Sequence, residues 1–303
     1  MQAGLLSLGH WKRNESLCQM IARVGRPAIQ YLTDDLLLCI VFWWAEFLEI
    51  ISQLMGESIY FPSMLAIILM FFIVLFASIV QATLGMGYGL AAAPLLALVD
   101  PVFVPVPTIL IGMISSAAGA CSERQNIHWA EVSDAVLGRL AGAICAALLL
   151  AVIVDTGVFM IIFGVAVGVA VLLSGFSLTI AKSRSSLAAM GVVSGLMGTI
   201  TGVGAPPLAL LYQGSDVGEA RPTLAAIFSI GCLVSALALA SIGWLGLTEL
   251  VMLLLMLVPM TIGTCIGRRS RALVDRDYRL ALLTVAGAAA IILILKGLAG
   301  SGD

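Results

Sequence analysis

The sequence predicts an all-α polytopic membrane protein, built as two inverted-topology repeats of about five segments each, with glycine-broken short helices at the repeat interface. Three observations carry this. Of 303 residues, 61% are hydrophobic and 11% charged, and the mean hydropathy is +1.13; soluble domains carry about a quarter charged residues. Residues 58–99, 185–215 and 222–248 contain no Asp, Glu, Lys or Arg, and each run exceeds the roughly 20 apolar residues that cross a bilayer. Finally, the order of long and short apolar segments in the first half recurs in the second.

Residues 1–60 precede the first repeat, as a genuine extension or an over-extended gene start, with Met64 a natural alternative beginning. Met1 to Glu15 is polar, unlike a secretory signal. The apolar run 36–54 carries Glu46 and Glu49, each costing about 2.5 kcal/mol or more at a membrane centre. It is therefore either an extra span or an interfacial amphipathic helix.

Spanning segments follow at 62–83, 103–121, 135–154, 158–180, 187–202, 222–243, 248–267 and 278–298. The pieces 88–99 and 206–213 are too short to cross at about 1.5 Å per residue. They are expected to be half-helices, tolerated only where protein or a water-filled cavity covers their backbone. The first repeat is then 61–186 and the second 187–303.

The repeat is readable in the residues. "TLGMGYGLAAAP" followed by "VPTILIGMISS" parallels "ITGVGAPPLALL" followed by "RPTLAAIFSI". Aligning Gly85 with Gly202 aligns Gly87 with Gly204, and a two-residue gap brings Pro107-Thr108 onto Pro222-Thr223. Five elements per half make the second copy enter the membrane from the opposite side, as in secondary transporters whose broken helices meet near the midplane. Isolated glycines such as Gly112 and Gly164 are read as helix-packing positions instead.

The basic loops 122–139, 181–186 and 268–279 alternate with connections near Asp155 and Gly246 that lack Lys and Arg. The positive-inside rule makes the basic loops cytoplasmic in a multi-pass cell-membrane protein. No basic stripe suggests nucleic acid. Cys18, Cys39, Cys121, Cys145, Cys232 and Cys265 are scattered singly and read as small packing residues. No cofactor or metal constellation is expected, and the oligomeric state is left open.

The breaks supply the candidate site. Backbone N–H groups at Gly85 to Leu90, including Gly87 and Gly89, and at Gly202 to Ala205, including Gly204, start short helices whose dipoles favour an anion. Pro206 and Pro207 lack an N–H and set the second helix start. Gln81, Thr83, Thr199, Thr201 and Gln213 flank the breaks as neutral hydrogen-bonding groups, each with a packing or capping role as its alternative. Thr108 and Thr223, beside prolines, read equally as helix caps. Arg221 is the cation that adjoins a break, attracting an anion or simply following the positive-inside rule. Asp100 and Asp216, at the ends of the short segments, read as turn formers. No carboxylate lies inside the first three spanning segments, so no buried proton relay is apparent.

These residues resemble the sulfite exporter TauE/SafE family of membrane transporters. The resemblance rests on Gln81, Gly85, Gly87, Gly89 and Pro94-Leu95, on "SERQNIHWAEV" from Ser122, and on Ser194-Gly195, Gly198, "TGVGAPPLALLYQ" from Thr201, Ala220-Arg221 and "IGRRSRALVD" from Ile266. It covers about Ser63 to Leu298, and residues before Ser63 depart from the family pattern. It implies movement of a small sulfur-containing or organic anion such as sulfite, a sulfonate or sulfoacetate, in either direction.

Two rival classes fit the residues less well. GYG at 87–89 suggests an ion channel, but the tripeptide occurs once and the matching break reads GVGAPP. An intramembrane enzyme would need a reactive group. His10 and His128 fall outside the spans, there is no HExxH, and Ser174 and Ser194 are expected to lack a buried basic partner. No catalytic residue and no enzyme activity are expected.

Overall fold

The computed structural model describes residues 60–84, 87–153, 155–175, 180–269 and 276–300. The stretch 1–59, with its expected span or interfacial helix at 36–54, lies outside the described residues, as does Gly85. Among the described residues the regular structure is entirely helical: α1 (Met64–Leu84), α2 (Tyr88–Val99), α3 (Val106–Ser122), α4 (Trp129–Ala151), α5 (Thr156–Gly175), α6 (Arg184–Thr201), α7 (Ala205–Leu211), α8 (Val217–Ser241), α9 (Leu247–Arg269) and α10 (Arg276–Gly300), with short 3-10 turns before α3 and α4.

Among the described residues, seven helices are long and apolar enough to span a membrane: α1, α3 with the turn before it, α4, α5, α8, α9 and α10. The eighth expected span, 187–202, forms α6 but does not reach that standard among the described residues. It opens on Arg184 under a Ser183–Ser186 capping box and closes at Gly202, and its last turns are buried in the bundle rather than turned to lipid. The long helices expose large apolar side chains, such as Leu65, Phe72 and Phe76 on α1 and Leu137, Ile144 and Leu148 on α4. Such faces suit hydrocarbon, which provides no drive to hide them.

What holds the helices together is therefore close backbone approach at small residues. Gly138 and Gly142 of α4 press on α6, and Gly191 and Gly195 of α6 press back on α4, so that a Cβ on any of them would meet the opposing main chain. Gly263 and Gly267 of α9 sit likewise on Leu75, Ser78, Ile79 and Ala82 of α1. Gly164 of α5 packs on α10 and Gly297 of α10 packs on α5, which is the packing role read for Gly164. Further pairings join α3 to α8, α4 to α8, α3 to α9, α2 to α10 and α5 to α7.

The two short helices are held inside this frame. α2 has eight buried residues of its twelve, including Tyr88, Leu90 and Pro94. α7 has seven residues, with Pro206 and Pro207 in its first turn. Asp100 caps the turn after α2 by accepting from Val102 N, and Asp216 caps α8 by accepting from Gly218 N. Both take the turn-forming role expected of them.

The described residues of the basic loops gather at one end of the bundle, where Arg268 lines a cavity with Ser122 and Glu123. Lys182 Nζ lies 2.7 Å from Glu131 and Arg184 Nε 3.6 Å from Asp134, joining the loop before α6 to the first turns of α4. His128 Nε2 is 3.3 Å from Glu219 at the start of α8. Arg139, counted with the 122–139 loop in the sequence, is instead a fully buried residue of α4. The helix begins at Trp129, ten positions earlier.

Candidate functional site

The two breaks meet. α1 gives way before Gly87, whose φ of 110° is a left-handed conformation that a side chain disfavours, and α6 gives way at Gly202, φ 77°. A Cβ on Gly89 would overlap the Gly202 carbonyl, and one on Gly202 would meet Thr108 Cγ2 at 3.0 Å. Around this contact is a cavity of about 40 Å³, lined by residues of both breaks, Gly87 to Leu90 and Gly202 to Ala205, together with Gln81, Thr108, Gly112, Ser116, Arg139, Gly198, Phe228 and Cys232. A single water needs roughly 10–15 Å³ by this measure, so the space suits a few waters or one small solute.

Arg139 is the group that sequence reasoning did not place here. Its side chain is 1% exposed. Nη1 donates to Ser194 Oγ at 2.5 Å, Ser194 Oγ donates in turn to Gly204 O at 2.5 Å, and the guanidinium lies over the Phe228 ring, 5.5 Å from its centroid. Nε–H has no hydrogen-bond partner, and no carboxylate pairs with Arg139 among the described residues. Space for so large a side chain comes from glycine: a Cβ on Gly231 would overlap Nε, and one on Gly204 or Gly198 would come within 2.8 Å of Nη1 or 3.4 Å of Nη2.

This corrects the expectation that Ser194 lacks a buried basic partner. The contact does not make Ser194 a nucleophile, because a guanidinium has donors only and cannot accept the hydroxyl proton. That proton points to Gly204 O, so Arg139, Ser194 and the second break form one hydrogen-bonded chain.

The expected site residues divide into three groups. Gln81, Gly87, Gly89, Gly202 and Gly204 line the cavity. Gln81 links the first break to α3: Oε1 accepts from Tyr88 N at 3.0 Å and Nε2 donates to Ser116 Oγ at 3.3 Å. Tyr88 itself lines the cavity, with a buried hydroxyl that has no partner.

The second group is engaged by the protein itself. Thr83 Oγ1 donates to Ile79 O and Val80 O of its own helix. Thr201 Oγ1 donates to Met197 O and accepts from Val203 N, and Thr199 donates to Ser235 Oγ. Pro206 is buried in the first turn of α7. Thr108 donates to Phe103 O while lining the cavity, and Thr223 accepts from His128 N. Three backbone donors expected to face a solute, those of Tyr88, Gly202 and Val203, are bonded within the chain.

The third group lies elsewhere. Gln213 is exposed in the turn after α7. Its neighbour Tyr212 donates to Glu131 Oε2 at 2.6 Å under Lys182, whose Nζ is 4.8 Å from the ring centroid. Burial, then the Glu131 carboxylate, raise the Tyr212 pKa above its ordinary value, which keeps the hydroxyl a donor. Arg221 does not line the central cavity. Its Nη2 donates to Ala82 O at 2.7 Å, toward the basic end.

A sequence profile described as Sulfite exporter TauE/SafE matches residues 70–293. No curated protein and no solved structure gives a significant match.

Proposed function

Because the chain belongs to the sulfite exporter TauE/SafE family, a family of membrane transporters, we propose that it carries a small oxyanion such as sulfite, a sulfonate or sulfoacetate through the cavity between the two breaks, across the cytoplasmic membrane. Arg139 is the observation that carries this reading. A guanidinium buried in a membrane bundle without a carboxylate is costly. An oxyanion in the adjoining cavity offsets that charge, and the planar fork of arginine matches oxyanion geometry. Tyr88 lines the same cavity, and its buried hydroxyl has no partner among the described residues. A cation would meet the guanidinium instead, which weighs against a cation channel.

The helix pairings support the inverted-repeat architecture, with halves 61–186 and 187–303. α4 on α6 has its counterpart in α9 on α1, α1 with α2 in α6 with α7, α2 with α10 in α7 with α5, and α4 with α8 in α9 with α3. α3 with α8 and α5 with α10 lie across the proposed two-fold. In this scheme the basic end faces the cytoplasm, and rocking of one broken-helix unit against the other exposes the cavity to each side in turn.

The test is flux of radiolabelled sulfite, sulfoacetate and taurine in proteoliposomes under an imposed pH gradient. At least one is expected to move, and Arg139→Gln to suppress that movement. If folded protein moves none of the three, the substrate class is wrong; if Arg139→Gln leaves flux intact, the site is wrong.

A further inference from the structure

A second cavity, of about 30 Å³, lies between the central one and the basic end of the bundle, where Arg221 and Arg268 line it with Glu123 and the hydroxyls of Ser122 and Thr264. Gln81 and Ser116 line both cavities. We propose that this outer cavity is a second oxyanion site in series with the central one, and that the Gln81 side chain is the partition between them. The inference rests on the reading of the central cavity as the solute site.

The charge of the lining is the first support. Among its described lining residues two guanidiniums stand with one carboxylate, a net positive set, and a positive low-dielectric cleft concentrates anions. Arg221 is held at the cavity by its bond to Ala82 O in the last turn of α1, one residue beyond Gln81. Thr264 contributes a buried hydroxyl that has no partner among the described residues. The cavity at the opposite end of the bundle, about 350 Å³, contrasts with this: Asp155 and Glu249 line it, and no basic residue does among the described residues. An oxyanion is therefore gathered at the basic end and repelled at the other.

The partition follows from the two bonds of Gln81. Its Oε1 is tied to the backbone of the first break through Tyr88 N, while Nε2 reaches Ser116 Oγ at 3.3 Å, at the long edge of hydrogen-bond geometry. The bond to Ser116 is the weaker closure. Because the amide is anchored to the start of α2, displacement of that break moves the partition with it, which couples passage between the two sites to motion of the short helix.

Cysteine labelling in nanodiscs tests this without any transported solute. One reporter is Ser122→Cys in a background with the native cysteines replaced by serine; the other keeps Cys232, which lines the central cavity. An anionic maleimide is expected to label Ser122→Cys about tenfold faster than a cationic one, sulfate to slow that labelling, and Arg221→Gln or Arg268→Gln to bring the two reagents level. Cys232 labelling is expected to rise by about fivefold in Gln81→Ala, the equivalent of one ordinary hydrogen bond. Ser116→Ala, which removes only the acceptor, is expected to do the same. Reagent selectivity that ignores both arginines, or a Cys232 rate unmoved in both Gln81→Ala and Ser116→Ala, overturns the proposal. Arg139-independent flux with the labelling pattern intact overturns the central site alone; Arg139-dependent flux without the pattern overturns this inference alone.

Discussion

Gly89 faces the carbonyl of Gly202 so closely that a Cβ on Gly89 would overlap both its oxygen and its carbon. The break in the first half is thus packed directly on the break in the second, through backbone. The cavity at this contact is lined by residues of both breaks.

Gly89→Ala forces one main chain away from the other, and overpacking of this kind costs about 1–3 kcal/mol. A clearly lowered unfolding temperature in detergent is expected, with loss of flux. Gly112→Ala is the control: its added methyl would meet only Tyr88 Cδ1 at 3.9 Å, so its stability is expected to change by less than about 0.5 kcal/mol.

At Arg139 function and stability are expected to part. Replacing the guanidinium by the apolar Arg139→Met removes a buried charge that no carboxylate balances among the described residues, and relief of the desolvation cost of a buried ion opposes the loss of the hydrogen bond to Ser194. Thermal unfolding is therefore expected to hold while flux falls by at least about tenfold, as the loss of charge-assisted hydrogen bonds implies. Arg139→Lys keeps the charge but not the fork and is expected to be intermediate in flux. Parallel loss of stability and flux in Arg139→Met would assign the residue a purely structural role.

Thr201 closes the second break by accepting from Val203 N. Thr201→Val leaves that buried N–H without an acceptor, at about 1–3 kcal/mol, whereas Thr201→Ser keeps the hydroxyl and is expected to unfold near the parent temperature. Equal unfolding temperatures for the two variants would contradict the capping role.

At the basic end, Tyr212 and Glu131 tie the end of α7 to the start of α4. Tyr212→Phe is expected to cost about 1.5–3 kcal/mol, as for a hydrogen bond to a charged group, and a double-mutant cycle with Glu131→Gln to show coupling of about 0.5 kcal/mol or more. Asp134→Asn is the contrast. Its partner Arg184 is 87% exposed, so the change is expected to stay within about 1 kcal/mol, and added salt to erase it.

Much of this protein is legible in one dimension because the bilayer imposes a local rule. A long uncharged run must be a helix, and a run too short to cross must be covered by protein. That logic located α1, α2, α7 and the glycine breaks, and it read Asp100 and Asp216 as turn formers. It was least exact at α6. The helix there is capped at Ser183, stopped by Gly202 and buried in the bundle at its end, and it is not among the seven described helices long and apolar enough to span. Side-chain roles near the breaks were less legible still. Thr83 satisfies itself on its own helix, and Gln213 points away from the site because the seven-residue α7 ends before it.

The sequence by itself determined the environment, the succession of helices, the paired breaks and the family resemblance, since each depends on residue type and spacing along the chain. Only the tertiary structure decided that Arg139 lines the cavity between the breaks and that Gln81 lines two cavities. A cation ten residues into a helix reads as part of a basic loop when charge is summed along the sequence. It becomes an interior group only because Gly198, Gly204 and Gly231, from three other stretches of chain, leave it room, and no local pattern encodes that meeting.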